Sequence, residues 1–294
     1  MIRAARAGGE KCVYLAWVWL ARSLMLPLVA AGIALACGKT QGTLVTLADS
    51  ASPDAGAAHA PPTPWQIQLT GTLDTSFDVA LYEVDLFDTA PSAIAGLHQQ
   101  GRRVTCYVSV GTDEPWRPDS ASFASAALGK ALADYSRERW LDDRDPSVRS
   151  VNAARLALAQ QNGCDAVELS NLQAHSQDSG FPISAADELD YAHFLIDAAH
   201  GDALSVGASP SDDLVSALAP DLDWGLTEEC LAYKNCETWQ PLVSASKPVF
   251  MIEYGSAQDA PVLCPQAAAL GFSLVIKRST LDAFRVGCEA VSGQ

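Results

Sequence analysis

Basic side chains are scarce: 19 Lys and Arg stand against 35 Asp and Glu in 294 residues, a formal charge of −16. Four of the cations (Arg3, Arg6, Lys11, Arg22) and one acid (Glu10) fall in the first 36 positions, so that stretch is +3 and the remainder −19. A surface of that sign repels nucleic acid and anionic lipid, so no nucleic-acid partner is expected. The charge either serves solubility alone or meets a cationic ligand, and composition leaves both readings open. A metal signature is missing as well. There is no CxxC, and the five histidines (His59, His98, His175, His193, His200) show no ligand spacing, so neither metal nor cofactor is expected. No nucleophile elbow, P-loop or catalytic-cysteine signature is present. The run "LMLPLVAAGIALA" at Leu24–Ala36 is shorter than the roughly 20 apolar residues a bilayer span needs.

Hydrophobic residues reach 49% and charged residues only 18%, which excludes a wholly disordered chain and provides for a large core. Residues 1–37 read as an export signal. The apolar run ends in "ALAC" at Ala34–Cys37, a pattern similar to a bacterial lipoprotein cleavage site, with Cys37 as the lipidated residue. Ala34 stands where leucine is usual. Ordinary cleavage near Ala36, or an uncleaved anchor built on "VYLAWVWLA", are the rival readings. Residues 38–64 are rich in Ala, Pro, Thr and Asp and read as a flexible linker. A single folded domain is expected over 65–294, exported and monomeric, touching membrane only through its lipid anchor.

Six cysteines fall in that domain, and export implies an oxidising compartment. Cys230 with Cys236 and Cys264 with Cys288 are expected as disulfides. Cys106 and Cys164, in or beside apolar strands, are expected as buried thiols.

From Val79 onward short apolar runs alternate with helical patterns. Strands are predicted at Val79–Leu86, Val104–Gly111, Arg139–Asp143, Ala166–Ser170, Leu204–Ala208, Trp224–Glu228, Pro248–Glu253 and Ser273–Lys277. A helix over Ala90–Gln100 precedes Gly101. Asp145 and Pro146 open another that stops at Gly163, and Ser184 caps a third. Apolar strands separated by helices describe a parallel sheet covered by helices, and right-handed crossovers close it into a (β/α)8 TIM barrel. A doubly wound nucleotide-binding sheet fits poorly, since the first strand runs into "DLFDTAP" without glycine.

In such a barrel, functional groups sit at the C-terminal strand ends. Acidic side chains gather there: Asp85, Glu114, Asp142, Glu168, Glu228, Glu253, with Arg117, Asn171 and the aromatic residues Tyr82, Trp116 and Tyr254 beside them. A ring of carboxylates with aromatic faces suits sugar chemistry. Two carboxyls flanking a glycosidic bond can act as acid and as nucleophile or base, and aromatic faces pack on sugar rings. Any one of these acids can equally be structural, Asp142 with Arg144 for instance.

At these residues the chain resembles the endo-alpha-1,4-polygalactosaminidases, TIM-barrel glycoside hydrolases of family 114. The matching stretches include "WQIQL" at Trp65, "YEVDLFDT" at Tyr82, "CYVSVGTDEPWRPD" at Cys106, "ERWLDDR" at Glu138, "GCDAVE" at Gly163, "TEEC" at Thr227, "KPVFMIEY" at Lys247 and "LVIKRSTLD" at Leu274. The resemblance covers about Trp65–Cys288. It implies a hydrolase of amino-sugar polymers, hence a cationic polysaccharide as partner, with Glu228 as one catalytic carboxylate. It also exposes a departure: the family's catalytic aspartate falls on Ser170, and its "LKND" becomes "ASPS" at Ala208–Ser211. A serine hydroxyl cannot replace a carboxylate base at neutral pH. Glu168, on the same side of its strand one layer deeper, is the candidate substitute. Two expectations follow: a hydrolase using Glu228 and Glu168, or a degenerate barrel that binds polysaccharide without cutting it.

Overall fold

The computed structural model describes residues 63–289. The expected signal, linker and lipidated Cys37 lie outside them, apart from Thr63 and Pro64. Nine strands form the sheet in chain order, eight of them parallel: β1 (Trp65–Gln68), β2 (Leu81–Asp85), β3 (Arg103–Ser109), β4 (Ala166–Leu172), β5 (Ser205–Pro210), β6 (Trp224–Glu228), β7 (Val249–Tyr254) and β8 (Ser273–Lys277), followed by the two-residue β9 (Val286–Gly287), which is antiparallel to β8. Helices α1 (Pro91–Gln99), α2 (Pro146–Asn162), α3 (Ala185–Gly201), α4 (Asp212–Leu218), α5 (Cys230–Tyr233), α6 (Gln240–Ser244) and α7 (Ala260–Leu270) occupy the connections. The β1–β2 link alone has no helix. The fold is a (β/α)8 TIM barrel.

Local chemistry sets the helix ends. The Asp145 carboxylate accepts the Ser147 N–H at 2.8 Å, Pro146 opens α2, and Gly163 ends it at φ 90°. Ser184 and Asp187 exchange bonds in a capping box at the start of α3.

The expected count of eight strands holds, but one member was exchanged. Arg139–Leu141 is not a barrel strand. It lies in a separate antiparallel sheet between Thr112–Asp113 and Leu128–Ala131, inside the long β3–α2 connection. Its apolar part, Trp140 and Leu141, is too short to cross a barrel. Trp65–Gln68 takes the vacant place at the edge of β2, with Trp65 opposite Leu81.

Two hydrophobic layers follow from the strand alternation. One face of each strand packs against the helices, through Val84, Val108, Leu169, Val206, Met251 and Ile276 among others. The other face fills the barrel with Trp65, Ile67, Trp224, Leu226, Phe250, Ile252 and Val275. Phe250 stacks between two indoles, its centroid 5.0 Å from Trp65 and 5.6 Å from Trp224. Gly207 makes room for that plug, because a Cβ there would meet the Trp224 ring at 2.1 Å.

No ladder joins β1 to β8. On that side β8 pairs antiparallel with Val286–Gly287, and side chains and loops complete the seam. The Trp65 indole donates to the Ser273 carbonyl at 2.8 Å, Lys277 Nζ donates to Gln66 Oε1 at 3.0 Å, and Leu69 N–H donates to the Leu281 carbonyl at 2.9 Å.

Among the described residues there are three disulfides. Cys230–Cys236 and Cys264–Cys288 form as expected. Cys106 and Cys164 are not free thiols; they form the third bridge, with Cα atoms 5.9 Å apart. Cys106 is on the outward face of β3 and Cys164 directly precedes the neighbouring β4, so the barrel's own pairing brings them within bonding reach.

Candidate active site

The interior is apolar at its base and polar at the C-terminal mouth. Glu168 and Ser170 share the phase of Ala166 on β4, Glu228 that of Leu226 on β6, and Tyr254 that of Ile252 on β7. Alternation therefore aims all four into the mouth. Glu83 and Asp85 enter in the same way from β2.

Glu228 is exposed to solvent at the end of β6, and its Oε2 accepts a short hydrogen bond from the Tyr254 phenol. The surrounding protein pushes its carboxyl above the ordinary range, while the Tyr254 bond opposes that shift. Tyr254 is pushed far up in turn, by burial and by the Glu228 charge. The phenol therefore stays a donor and favours the ionised form of Glu228.

Glu168 has a contrasting environment. It is 1% exposed and accepts from Ser209 Oγ at 2.5 Å; Ser209 in turn lies 3.4 Å from Ser170 Oγ. Burial is the largest influence on its carboxyl, with the Glu228 charge adding to it against the serine bonds, and the pKa reaches about 8. At neutral pH Glu168 holds its proton. Two hydroxyls thus lie between this acid and the open mouth. Glu83 is a third interior carboxyl, fully buried, with Oε1 unpartnered; burial, then the charges of Glu168 and Glu228, push its pKa well above the ordinary carboxylate range. Sequence reasoning passed over Glu83, although an acid two positions before Asp85 in an apolar strand shares Asp85's face.

The β2 and β3 loops rest on an ionic foundation. Arg117 grips Asp85 through two bonds, 2.8 and 2.5 Å, and Glu114 through two more, 2.7 and 2.9 Å, all buried. Arg155 holds Asp119 at 2.8 and 2.9 Å and the Ser109 carbonyl at 2.7 Å. Both guanidiniums lie against the Phe87 ring, at 5.2 and 5.3 Å. This network holds the loop that projects Trp116 outward, where the indole is 45% exposed. A cleft of about 310 Å³ opens there, lined by Trp116, Asp134, Tyr135, Ser136, Arg137 and Glu138. It adjoins the Glu228 site: burial and then the Glu228 charge raise the Tyr135 phenol.

Among the residues expected to contact substrate, Glu228, Tyr254, Ser170 and Glu168 converge, and Trp116 lines the adjoining cleft. Asp85, Glu114 and Arg117 belong to the buried foundation, both carboxyls bound to the one guanidinium. Tyr82 is a correction. It lies on the helix-facing side of β2, 0% exposed, and its hydroxyl donates to the Phe77 carbonyl at 3.1 Å, so no ligand in the mouth reaches it. Asp142 is held by Arg144 at 2.8 and 2.9 Å, the structural pairing. Glu253 points outward and accepts the Leu231 N–H at 2.8 Å, which fixes the start of α5 directly after Glu228 and Glu229. Asn171 has a left-handed backbone, φ 65°, and donates to Ser109 Oγ at 2.9 Å. Its carbonyl passes so near Gly111 that a Cβ there would lie 1.8 Å away. This close approach accompanies the register shift between β4 and β5 that sets the level of Ser170.

A barrel with paired carboxyls at its mouth is the arrangement of many glycosidases, and comparison with known proteins decides the family. The model of glycoside hydrolase family GH114 matches residues 48–292. The chain belongs to family GH114. The crystal structure of Aspergillus fumigatus Ega3 in complex with galactosamine is 34% identical, covers 80% of this chain and 99% of its own, and superposes with a TM-score of 0.74. The glycoside hydrolase domain of PelA from Pseudomonas aeruginosa is 12% identical, with 77% and 98% coverage and a TM-score of 0.62. An alpha-galactosidase from Thermus thermophilus shares the fold at 12% identity and a TM-score of 0.51, over 73% of this chain and 58% of its own. No curated protein matches the sequence. This GH114 barrel therefore carries the fold of its relatives around a mouth in which Ser170 and Ser209 cover a protonated Glu168.

Proposed function

We propose that this GH114 protein binds a galactosamine-containing polysaccharide across the barrel mouth and hydrolyses it with Glu228 as the catalytic carboxylate. The single observation that carries the reading is the asymmetry between two carboxyls: Glu228 exposed and bonded by a phenol donor, Glu168 buried and protonated with a pKa of about 8. A solvent-facing carboxyl and a protonated acid are the two partners glycoside hydrolysis uses. Ega3, similar over nearly all of its own length, binds galactosamine, which supports the substrate class. The −19 charge beyond the first 36 residues suits a polymer that carries ammonium groups.

In this reading Glu168 does not touch the sugar. In the resting site the Ser209 hydroxyl donates to Glu168. For the transfer it turns toward the departing glycosidic oxygen, directly or through Ser170, and gives up its proton there while Glu168 donates its own proton to the Ser209 oxygen. The bond from the anomeric carbon to that oxygen breaks. Glu228 stabilises the developing positive charge or activates the water whose hydroxyl ends on the anomeric carbon. Water thus supplies one proton and one hydroxyl in balance. The reaction should slow as pH rises through about 8, where Glu168 loses its proton.

The second reading is a binding barrel without chemistry. The 1% exposure of Glu168 and the hydroxyl at position 170 favour it. One series separates the two: wild type, Glu228→Gln, Glu168→Gln and Ser170→Asp on a partly deacetylated galactosamine polymer. The proposal expects cleavage by wild type, a loss of at least about 100-fold in Glu228→Gln, and a comparable loss in Glu168→Gln. Binding without wild-type cleavage, together with a gain of activity in Ser170→Asp, selects the degenerate reading. Wild-type cleavage unaffected by Glu228→Gln would sink the site assignment. The three disulfides fit export to an oxidising compartment. Lipid anchoring at Cys37 is part of this proposal, and Cys37→Ser should then release the protein from the membrane fraction.

A further inference from the structure

The cleft beside Glu228 has a cation where a cationic sugar would be expected to stack. The Arg137 guanidinium lies over the Trp116 ring, 5.0 Å from its centroid. Among the described residues Arg137 pairs with no carboxylate, although Asp134 and Glu138 line the same cleft. Glu138 is already engaged, accepting from Thr112 Oγ1 at 3.0 Å. The one exposed indole of the mouth is therefore capped by a donor-only group.

Donor count decides what fits. A guanidinium has five N–H donors and no acceptor, and an ammonium has three donors and no acceptor. Placed together they repel and leave hydrogen bonds unmade. An acetamido group offers a carbonyl to the guanidinium and a methyl to the indole. We propose that the Trp116–Arg137 cleft is a subsite selective for an N-acetylated hexosamine. Fully deacetylated residues are disfavoured there, although the mouth as a whole is acidic. The inference rests on the polysaccharide reading above and refines it: the polymer is read by its acetylation pattern, with an acetylated unit positioned next to the bond that is hydrolysed at Glu228.

The test is calorimetric titration with two chemically defined oligomers of one length, N-acetylgalactosamine and galactosamine, and a galacturonic acid oligomer as a third ligand. The proteins are wild type, Arg137→Ala, Arg137→Lys and Trp116→Ala, each checked for its fold by circular dichroism. The readout is the ratio of the two hexosamine affinities at about 0.5 M salt, where the long-range field of the acidic domain, felt by the ammonium groups and not by the acetamido groups, is screened. Arg137→Ala should shift that ratio by about two- to fivefold toward the deacetylated oligomer, from the size of exposed charge interactions. Arg137→Lys should shift it less, since charge persists without the planar stack. Trp116→Ala should weaken the acetylated oligomer more than the deacetylated one. A ratio unchanged in Arg137→Ala overturns the subsite. Tighter binding of the uronic acid oligomer than of the acetylated one, lost in Arg137→Ala, overturns the acetyl assignment. If no folded variant binds either hexosamine oligomer, the polysaccharide reading itself fails, a result distinct from an unchanged ratio.

Discussion

Asp143 is 3% exposed, and neither of its carboxylate oxygens has a hydrogen-bond partner. Burial first, then the charges of Glu188, Asp142 and Asp187, raise its pKa to about 7 against the opposing pull of Arg144. The folded protein therefore holds this proton between about pH 4 and 7 while the unfolded chain releases it. Stability falls as pH rises across that window, and the cost is fully present above it. Asp143→Asn removes the charge and breaks no bond of the side chain. Its stability relative to wild type should rise between pH 4 and pH 8, by about 1–3 kcal/mol at the upper end. Urea unfolding at the two pH values measures this; an equal or lower midpoint in the variant at pH 8 would contradict it. Glu168 and Glu83 follow the same direction, so an acidic interior favours moderately acidic conditions for both fold and chemistry.

At the scale of elements, the cross-links can be ranked. The Cys106–Cys164 bridge spans 58 residues, Cys264–Cys288 spans 24 and Cys230–Cys236 spans 6. Loop-closure entropy gives about 4, 3.5 and 2 kcal/mol respectively. Replacing both cysteines of one bridge by Ala should lower the midpoint of thermal unfolding in that order, with the 106–164 pair the most damaging. A larger loss from Cys230–Cys236 would mean that the short bridge acts through the native position of Glu228. The sequence carried most of this scale. Capping at Asp145, Gly163 and Ser184 and apolar strand runs are local signals, and they placed seven of the eight strands. The first strand was less legible because its four residues alternate Trp and Ile with Gln. Arg139–Leu141 misled because strand propensity does not distinguish a barrel from an antiparallel ornament on its mouth. The 106–164 bridge depends on which strands become neighbours, which no local pattern encodes. The active site divides in the same way. Glu228, Tyr254 and the substitution at Ser170 are readable in the chain. That Tyr82 faces the helices, that Arg117 binds both Asp85 and Glu114, and that Arg137 lies on Trp116 are outcomes of side-chain direction in three dimensions.

For the whole molecule, charge is the dominant variable. The proposed cationic polymer meets a domain of −19 through many weak contacts near its mouth. Binding should weaken about tenfold between about 0.05 and 0.5 M salt, because the screening length falls below the spacing of surface charges. Affinity independent of salt in fluorescence anisotropy would exclude the charge from recognition and leave it a solubility device.

The unpaired seam between β1 and β8 governs the order in which the molecule assembles. Its closing bonds join residues 208, 211 and 220 positions apart. Contacts of such range form late, since the intervening chain must first be drawn together. During synthesis the strands from β1 to β7 can pair successively as they emerge, yet Trp65 and Gln66 wait for Ser273, Lys277 and Arg285 before the circle is complete. A chain that has not yet presented Ser273, Lys277 and Arg285 therefore lacks the bonds that hold Trp65 and Gln66 at the seam. In hydrogen exchange the same line should open first, with the amides of β1 and β8 exchanging before those of β3 and β4.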